Sequence, residues 1–225
     1  MMKSQFEMLL NDGYAIVPEA VSLKKLAHLR AAISELPAAH AHRNLLTRPA
    51  IQEFALSAKA LALITPILGP TAFPVRGILF DKLPGANWKV AWHQDLSIAV
   101  KEKHAVSGYG PWSIKDGVPH VQPPAVILEN MLTLRLHLDD CFEDNGPVRV
   151  LPGSHVKGIL SAEQIQMLRT RLPEIATVTA AAGVLLMRPL LLHASSPATT
   201  ATHRRVIHIE YASGALVSPL EWHAA

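Results

Sequence analysis

Three separated pieces of this chain could do chemistry together. They are His93-Gln94-Asp95 at the end of a strand-like run, a single His193 closing the apolar run from Val184 to Leu192, and Arg204 eleven residues further on. Two imidazoles and a carboxylate can hold one face of an octahedral ferrous ion, leaving three positions open for a chelating co-substrate and dioxygen. Such a set suits oxidation rather than storage.

His-x-Asp/Glu spacing is not selective by itself. With 12 His and 18 acidic residues in 225, about one such triplet is expected by chance, and three occur: His93-x-Asp95, His137-x-Asp139 and His208-x-Glu210. Residues two apart on a strand share a face, so each triplet could offer both ligands to one ion. Context favours the first. His93 and Asp95 close a strand and open onto a long segment, whereas His137 and His208 lie within strands, where an imidazole is more often a hydrogen-bonded pocket or core residue. His193 has a similar alternative, a buried ring satisfied by a backbone carbonyl. Its pairing with Arg204 in a hairpin-like unit from Gly183 to Tyr211 tips it toward a ligand role. Arg204-Arg205 could equally be a solvated basic pair, but alternation sets Arg204, Val206, His208 and Glu210 on one face.

The elements that must position these groups follow from periodicity. A short strand at Tyr14–Val17 lies between Gly13 and Pro18. Ser22 is an N-cap for a helix from Leu23 to Leu36, and Arg48 to Leu68 carries a second helical stripe; both read as outer helices backing a sheet. Strand-like runs then follow at Phe73–Lys82, Trp88–His93, Met131–Asp139, Val148–Leu151, Gly183–His193 and Arg204–Tyr211. One further helix is expected at Ser161–Leu172, with capping-box spacing between Ser161 and Gln164. The pattern is mainly β with flanking helices, a sandwich or jelly roll, in one domain spanning 1–225: helices over about 1–70 packed on the barrel, and a lid over about 96–130. A connection as long as Leu96–Asn130 is a functional lid or a disordered stretch. Trp112, Tyr109 and Ile114 argue for a packed lid, and Lys101, Lys103, His104, Lys115 and His120 equip it to meet an acidic or aromatic ligand.

Composition excludes several classes. The net charge is +3 and the pI about 9.1, but the basic residues are dispersed, which argues against nucleic acid. Mean hydropathy is +0.21, yet the apolar run Val178–Met187 stops at Arg188, short of the roughly 18 residues a membrane span needs. Cys141 is the sole cysteine, so no intrachain disulfide or Cys-based zinc site is possible. The first residues, Met1 to Glu7, lack the basic and long apolar regions of a secretory signal, so export is not expected and a reducing, cytoplasmic setting is. Oligomeric state is not legible.

Trp92-His93-Gln94-Asp95, the block from Asp139 through Asn145-Gly146-Pro147 to Leu151-Pro152-Gly153-Ser154-His155, Leu190-Leu191-Leu192-His193-Ala194-Ser195-Ser196 and Arg204-Arg205 together resemble the phytanoyl-CoA dioxygenase family over about Gly77–Tyr211. The resemblance implies a double-stranded β-helix (cupin-like), ferrous iron, 2-oxoglutarate and O2. It implies that His93, Asp95 and His193 ligate iron and that Arg204 grips the distal carboxylate of 2-oxoglutarate, with Gln94 and Ser195 contacting the same co-substrate. It also implies decarboxylation to succinate coupled to oxidation of a small-molecule substrate. Related halogenases replace the carboxylate ligand with a small residue, so Asp95 favours hydroxylation or desaturation.

One departure bears on the substrate. Met131–Asp139 alternates cleanly, leucines on one face and Thr133, Arg135, His137 and Asp139 on the other, where relatives often place an aromatic near Arg135. Arg135, His137, His208 and Trp112 are then candidate contacts for a polar, anionic substrate; alternatively Arg135 pairs with Glu210 as a structural ion pair. Two rival functions stand beside the dioxygenase reading. A non-catalytic cupin-like binding or sensor protein would keep metal and ligand without oxygen chemistry. A zinc hydrolase would leave Arg204 unexplained.

Overall fold

The computed structural model of the chain describes residues 4–37, 39, 41–82, 87, 89–199 and 203–224. In chain order the elements are α1 (Gln5–Asn11), β1 (Tyr14–Val17), α2 (Leu23–Ile33), β2 (Ala41–His42), α3 (Pro49–Ala55), α4 (Ala58–Leu68), β3 (Phe73–Lys82), β4 (Val90–His93), β5 (Ile98–Ala99), β6 (Trp112–Lys115), β7 (Val118–Val121), α5 (Ala125–Glu129), β8 (Met131–His137), β9 (Val148–Val150), α6 (Ala162–Arg171), β10 (Ile175–Ala176), β11 (Val184–Met187), β12 (His193–Ser195) and β13 (Arg204–Ala212). A six-stranded sheet runs β1-β11-β8-β13-β3-β2, a four-stranded sheet β10-β9-β12-β4, and a small third sheet β5-β7-β6. All named pairings are antiparallel. The architecture is the double-stranded β-helix that the family resemblance implies.

The large sheet separates two environments. Leu132, Leu134 and Leu136 of β8, Ile207, Ile209 and Tyr211 of β13, and Leu79 of β3 join the core that Leu26, Leu29, Ile51, Phe54 and Ile64 of the helices complete. The opposite face carries Thr133, Arg135 and His137 of β8, and His208 and Glu210 of β13, all buried. Period-two alternation therefore sends leucine to the helices and polar groups into the barrel.

Several elements depart from the sequence-based expectation. The stripe over Arg48–Leu68 forms two helices turned by 47°, because Ser57 adopts an extended backbone and caps α4 by accepting from Ala60 N. No single helix is long and apolar enough to cross a membrane. Helix α2 ends at Ile33 instead of Leu36, and α1, with a Ser4/Glu7 capping box, has no counterpart in the sequence reading. Trp88, expected to open the fourth strand, lies outside the described residues. The Ser161–Gln164 capping box is present.

The apolar run Gly183–His193 is two strands in two sheets. β11 pairs with β1 and β8, whereas β12 pairs with β9 and β4; Arg188–Leu192 turns the corner through Pro189, which lacks a ladder donor. His193 and Arg204 therefore do not share a hairpin. They reach the barrel interior from opposite sheets. The Met131–Asp139 strand stops at His137, and Asp139 leaves the interior to take a bidentate pair from Arg205, Nε at 2.8 Å and Nη2 at 2.7 Å.

Tyr211 links sheet to helices, its hydroxyl donating to the Ala55 carbonyl at 2.9 Å at the end of α3. Tyr211→Phe keeps the ring and strands that carbonyl. A loss of about 1 kcal/mol in unfolding free energy is expected, read as a lower urea midpoint at unchanged slope; an unchanged midpoint refutes the link.

Candidate metal centre and its pocket

The pairing of β12 with β4 places His193 directly opposite His93. The ring centroids lie 4.2 Å apart. Asp95 follows β4, fixed by its backbone N–H to the Pro189 carbonyl at 2.9 Å. One carboxylate oxygen is 3.7 Å from His93 Nε2 and the other 3.6 Å from His193 Nε2. Ligand atoms of the three residues all lie within 4.8 Å of one another, spacing that a single ion can bridge.

The tautomers suit a metal. His93 Nδ1 faces the Ala91 carbonyl at 2.8 Å and His193 Nδ1 the Leu191 carbonyl at 2.9 Å. A carbonyl only accepts, so each Nδ1 carries a proton, which leaves each Nε2, facing the shared space, as the atom that can bind a metal. The backbone carbonyl that was the alternative explanation of a buried His193 also turns its Nε2 toward Asp95 and His93. Burial drives the His193 imidazole down to about 4. Burial alone would raise the Asp95 carboxyl, but His193 and His93 together hold it well below the usual carboxylate range. The His193 side chain is 8% exposed and that of His93 39%, so the site opens on the His93 side.

Behind the triad, a cavity of about 160 Å³ is lined by Phe80, Lys82, Arg135, Ser195, Arg204 and His208 among others. Arg204 on β13 stands directly opposite Lys82 on β3. Like charges directly opposite destabilise a ladder unless something lies between them. Arg204 Nε and Nη1, Arg135 Nε and both His137 ring nitrogens are buried without a hydrogen-bond partner. Three cations, Lys82, Arg135 and Arg204, face one carboxylate, Asp95. A divalent ion adds to that imbalance, so this pocket fits an anion carrying at least two charges. Lys82, absent from the sequence reading, donates to Ser195 Oγ at 2.7 Å and to the Ser196 carbonyl; burial beside Arg204 pushes its amine down to about 8. Gly146 makes this contact possible: at φ +75°, a Cβ there would lie 2.6 Å from the Ser196 oxygen and 2.8 Å from Lys82 Nζ.

Other expected site residues fall elsewhere. Gln94 does not line the pocket. Its amide donates to the Gly158 and Leu190 carbonyls at 2.8 and 2.7 Å and accepts from Leu160 N at 2.9 Å, which replaces the expected co-substrate contact with a positioning role. Trp112 packs with the apolar cluster of Ile98, Val121 and Leu128, beneath Lys103 at 5.7 Å, and does not line the pocket. His137 lies on the inner face beside Arg135, and burial drives its imidazole down to about 3. Ser195 is in the pocket, its hydroxyl donating to the Gly146 carbonyl at 3.0 Å.

Arg135 does not pair with Glu210. Its Nη1 donates to His208 Nδ1 at 2.8 Å, directly across the β8–β13 ladder. His208 must therefore carry its proton on Nε2, 3.2 Å from Glu210 Oε1. Glu210 accepts in turn from Arg76, its cross-strand partner on β3. Arg76 and Lys82 share the inward face of β3 with Ile78 and Phe80, an alternation readable in the sequence and overlooked there.

The segment 96–130 is a folded sheet. Asp116 and Gly117, at φ +49° and +79°, form the tight turn between β6 and β7, as expected of a two-residue hairpin. Tyr109 and Trp112 pack inward, but Ile114 is 77% exposed. Lys101 N donates to the Glu221 carbonyl at 3.0 Å, tying the sheet to the C-terminal segment.

Comparison with known proteins agrees with this geometry. The family model for phytanoyl-CoA dioxygenase (PhyH) matches residues 9–206. No curated protein matches. Among solved structures, EctD from S. alaskensis in its apoform is 19% identical, covering 95% of this chain and 77% of that chain at a TM-score of 0.74; a second EctD structure contains 2-oxoglutarate and 5-hydroxyectoine. HygX from Streptomyces hygroscopicus with iron bound is 15% identical, with coverage of 95% and 87% and a TM-score of 0.69. SnoK, a non-heme alpha ketoglutarate dependent carbocyclase from nogalamycin biosynthesis, is 15% identical, with coverage of 95% and 84% and a TM-score of 0.70.

Removing the Gln94 contacts frees the segment that carries two candidate ligands, His93 and Asp95. Gln94→Leu is expected to weaken divalent metal binding by about 10- to 100-fold in a competition titration against a chelator. Unchanged affinity rules out the positioning role.

Proposed function

The chain belongs to the phytanoyl-CoA dioxygenase family, and from that premise we propose that it is an Fe(II)- and 2-oxoglutarate-dependent dioxygenase that hydroxylates a small polar or anionic metabolite. The observation that carries the reading is the pairing of an open His/Asp/His triad with Arg204, whose buried Nε and Nη1 have no partner. Iron held by His93, Asp95 and His193 supplies, with 2-oxoglutarate and O2, oxidation of a substrate C–H bond coupled to release of succinate and CO2.

Each residue then has a defined task. Arg204 grips the far carboxylate of 2-oxoglutarate through a charge-assisted fork, and Lys82 offsets the same charge. Asp95 occupies the position that a halogenase leaves open for halide, which favours hydroxylation. Cys141 as the sole cysteine is in keeping with a reducing, cytoplasmic setting. The shared fold serves a carbocyclase as well as EctD, so product analysis belongs in the test.

Anaerobic titration of the metal-free protein with ferrous iron and 2-oxoglutarate is expected to give the visible charge-transfer band of a chelated keto acid. His93→Ala abolishes the band, and Arg204→Ala needs about 100-fold more 2-oxoglutarate. Oxygen-dependent succinate formation then separates an enzyme from a binding or sensor protein. Iron binding without the band favours the latter.

The Lys82 ammonium is lost as pH rises through about 8. Affinity for 2-oxoglutarate is therefore expected to fall above that pH in the native protein and to lose this dependence in Lys82→Met. A parallel fall in the variant assigns the pH effect to another group.

A further inference from the structure

The barrel interior has a second polar end that the triad and Arg204 do not use. Along the inner face of β13, Arg204 and Glu210 are six residues apart, roughly 20 Å at strand rise. His208 lies between them and lines the metal pocket. If 2-oxoglutarate occupies the Arg204 end, the Glu210–Arg76 end remains for the molecule to be oxidised.

The small third sheet contributes two further polar groups, Lys115 and His120. Lys115 and His120 share one of its faces, since Ser113 is directly opposite His120 and Lys115 opposite Val118. Lys115 Nζ donates to Ser97 Oγ at 2.9 Å, two residues after Asp95. Arg76, Glu210 and Asp95 all act electrostatically on Lys115, and Arg76, Lys115 and Glu210 on His120, so these groups lie near one another.

His120 is the telling member. It is 1% exposed. Its Nδ1 lies 3.0 Å from the Val118 carbonyl and must carry the proton, which leaves Nε2 as a buried lone pair without a partner. A buried acceptor left unpaired is costly. Its natural complement is an O–H or N–H donor. Arg76 Nε, close by, is a buried donor without a partner, and Lys115 is half-buried with hydrogens beyond the one given to Ser97.

We propose that Lys115, Arg76 and His120 form the substrate subsite, on the side of the metal away from Arg204, and that they select a small molecule bearing an oxyanion next to a hydrogen-bond donor. A hydroxy acid, an amino acid and a phosphate monoester all have that chemistry. The assignment rests on the dioxygenase reading and shifts the substrate's acidic group from Arg135, which is engaged with His208, to the third sheet.

Inorganic phosphate is a suitable probe because it carries both an oxyanion and an O–H at neutral pH, whereas sulfate carries no O–H. The protein is loaded anaerobically with a paramagnetic divalent ion and saturating 2-oxoglutarate, and phosphate binding is followed by phosphorus NMR relaxation with sulfate as competitor. Phosphate is expected to bind close to the metal, about tenfold more tightly than sulfate. Lys115→Met should weaken both anions by about tenfold. His120→Phe should remove the preference for phosphate and leave sulfate binding intact, and His120→Gln, which keeps an acceptor, should retain part of it. No phosphate binding, no preference over sulfate, or indifference to both substitutions overturns the proposal. The Fe(II)/2-oxoglutarate band, recorded for each variant, separates the outcomes: a normal band with failed phosphate selection rejects the subsite alone, and a missing band in the native protein rejects the dioxygenase reading.

Discussion

The register between β4 and β12 is the constraint on which the rest of the site depends. It sets His93 against His193, and two imidazoles that close can serve one ion only with their Nε2 atoms turned to a common point. Two backbone carbonyls, Ala91 and Leu191, enforce that orientation. A slip of one residue would send one ring to the opposite face of its sheet. The surrounding chain resists such a slip at several points: Asp95 N on Pro189, Gln94 on three backbone groups, and Leu192 N on Ser154 Oγ at 2.8 Å. The Pro-Gly-Ser-His turn, without any ligand, thus helps to aim one.

One hydrogen-bonded chain spans part of the interior. Arg76, Glu210, His208 and Arg135 are linked in it across β3, β13 and β8, while Arg76 Nε and Arg135 Nε stay without a partner. Arg204 and His137 lie beyond its end, with buried polar atoms left over. A folded chain tolerates buried cations side by side only where a ligand supplies the opposing charge. Stability and binding are linked at this end of the barrel.

What the sequence revealed was local. The leucine alternation of β8 announced its two faces, Ser22 and Ser161 announced helix starts, and the order of the His-x-Asp, His and Arg pieces announced the site. The stretch Val184–Leu192 is apolar on either side of Arg188-Pro189, and that break, where the chain leaves one sheet for the other, was legible and overlooked. What the sequence concealed depended on partners far along the chain. Arg76 looks like a stray charge in an apolar strand until Glu210 is seen opposite it. The pairing of Arg135 with His208 instead of Glu210 could not be read at all, since both acceptors share a face and the ladder register alone decides between them. The Asp116-Gly117 turn was legible and overlooked, which left a hairpin read as an irregular lid.

Gly146 shows how a position without a functional group can be as restricted as a ligand. Its backbone lies in the left-handed region, and the space a methyl would need is taken by the Ser196 oxygen and the Lys82 amine. Any side chain there would push the lysine off Ser195. In a map of tolerated substitutions across the whole chain, Gly146 would be as intolerant as His93, although it touches neither metal nor substrate. An observer ranking positions by intolerance would take a spacer for a reactive group.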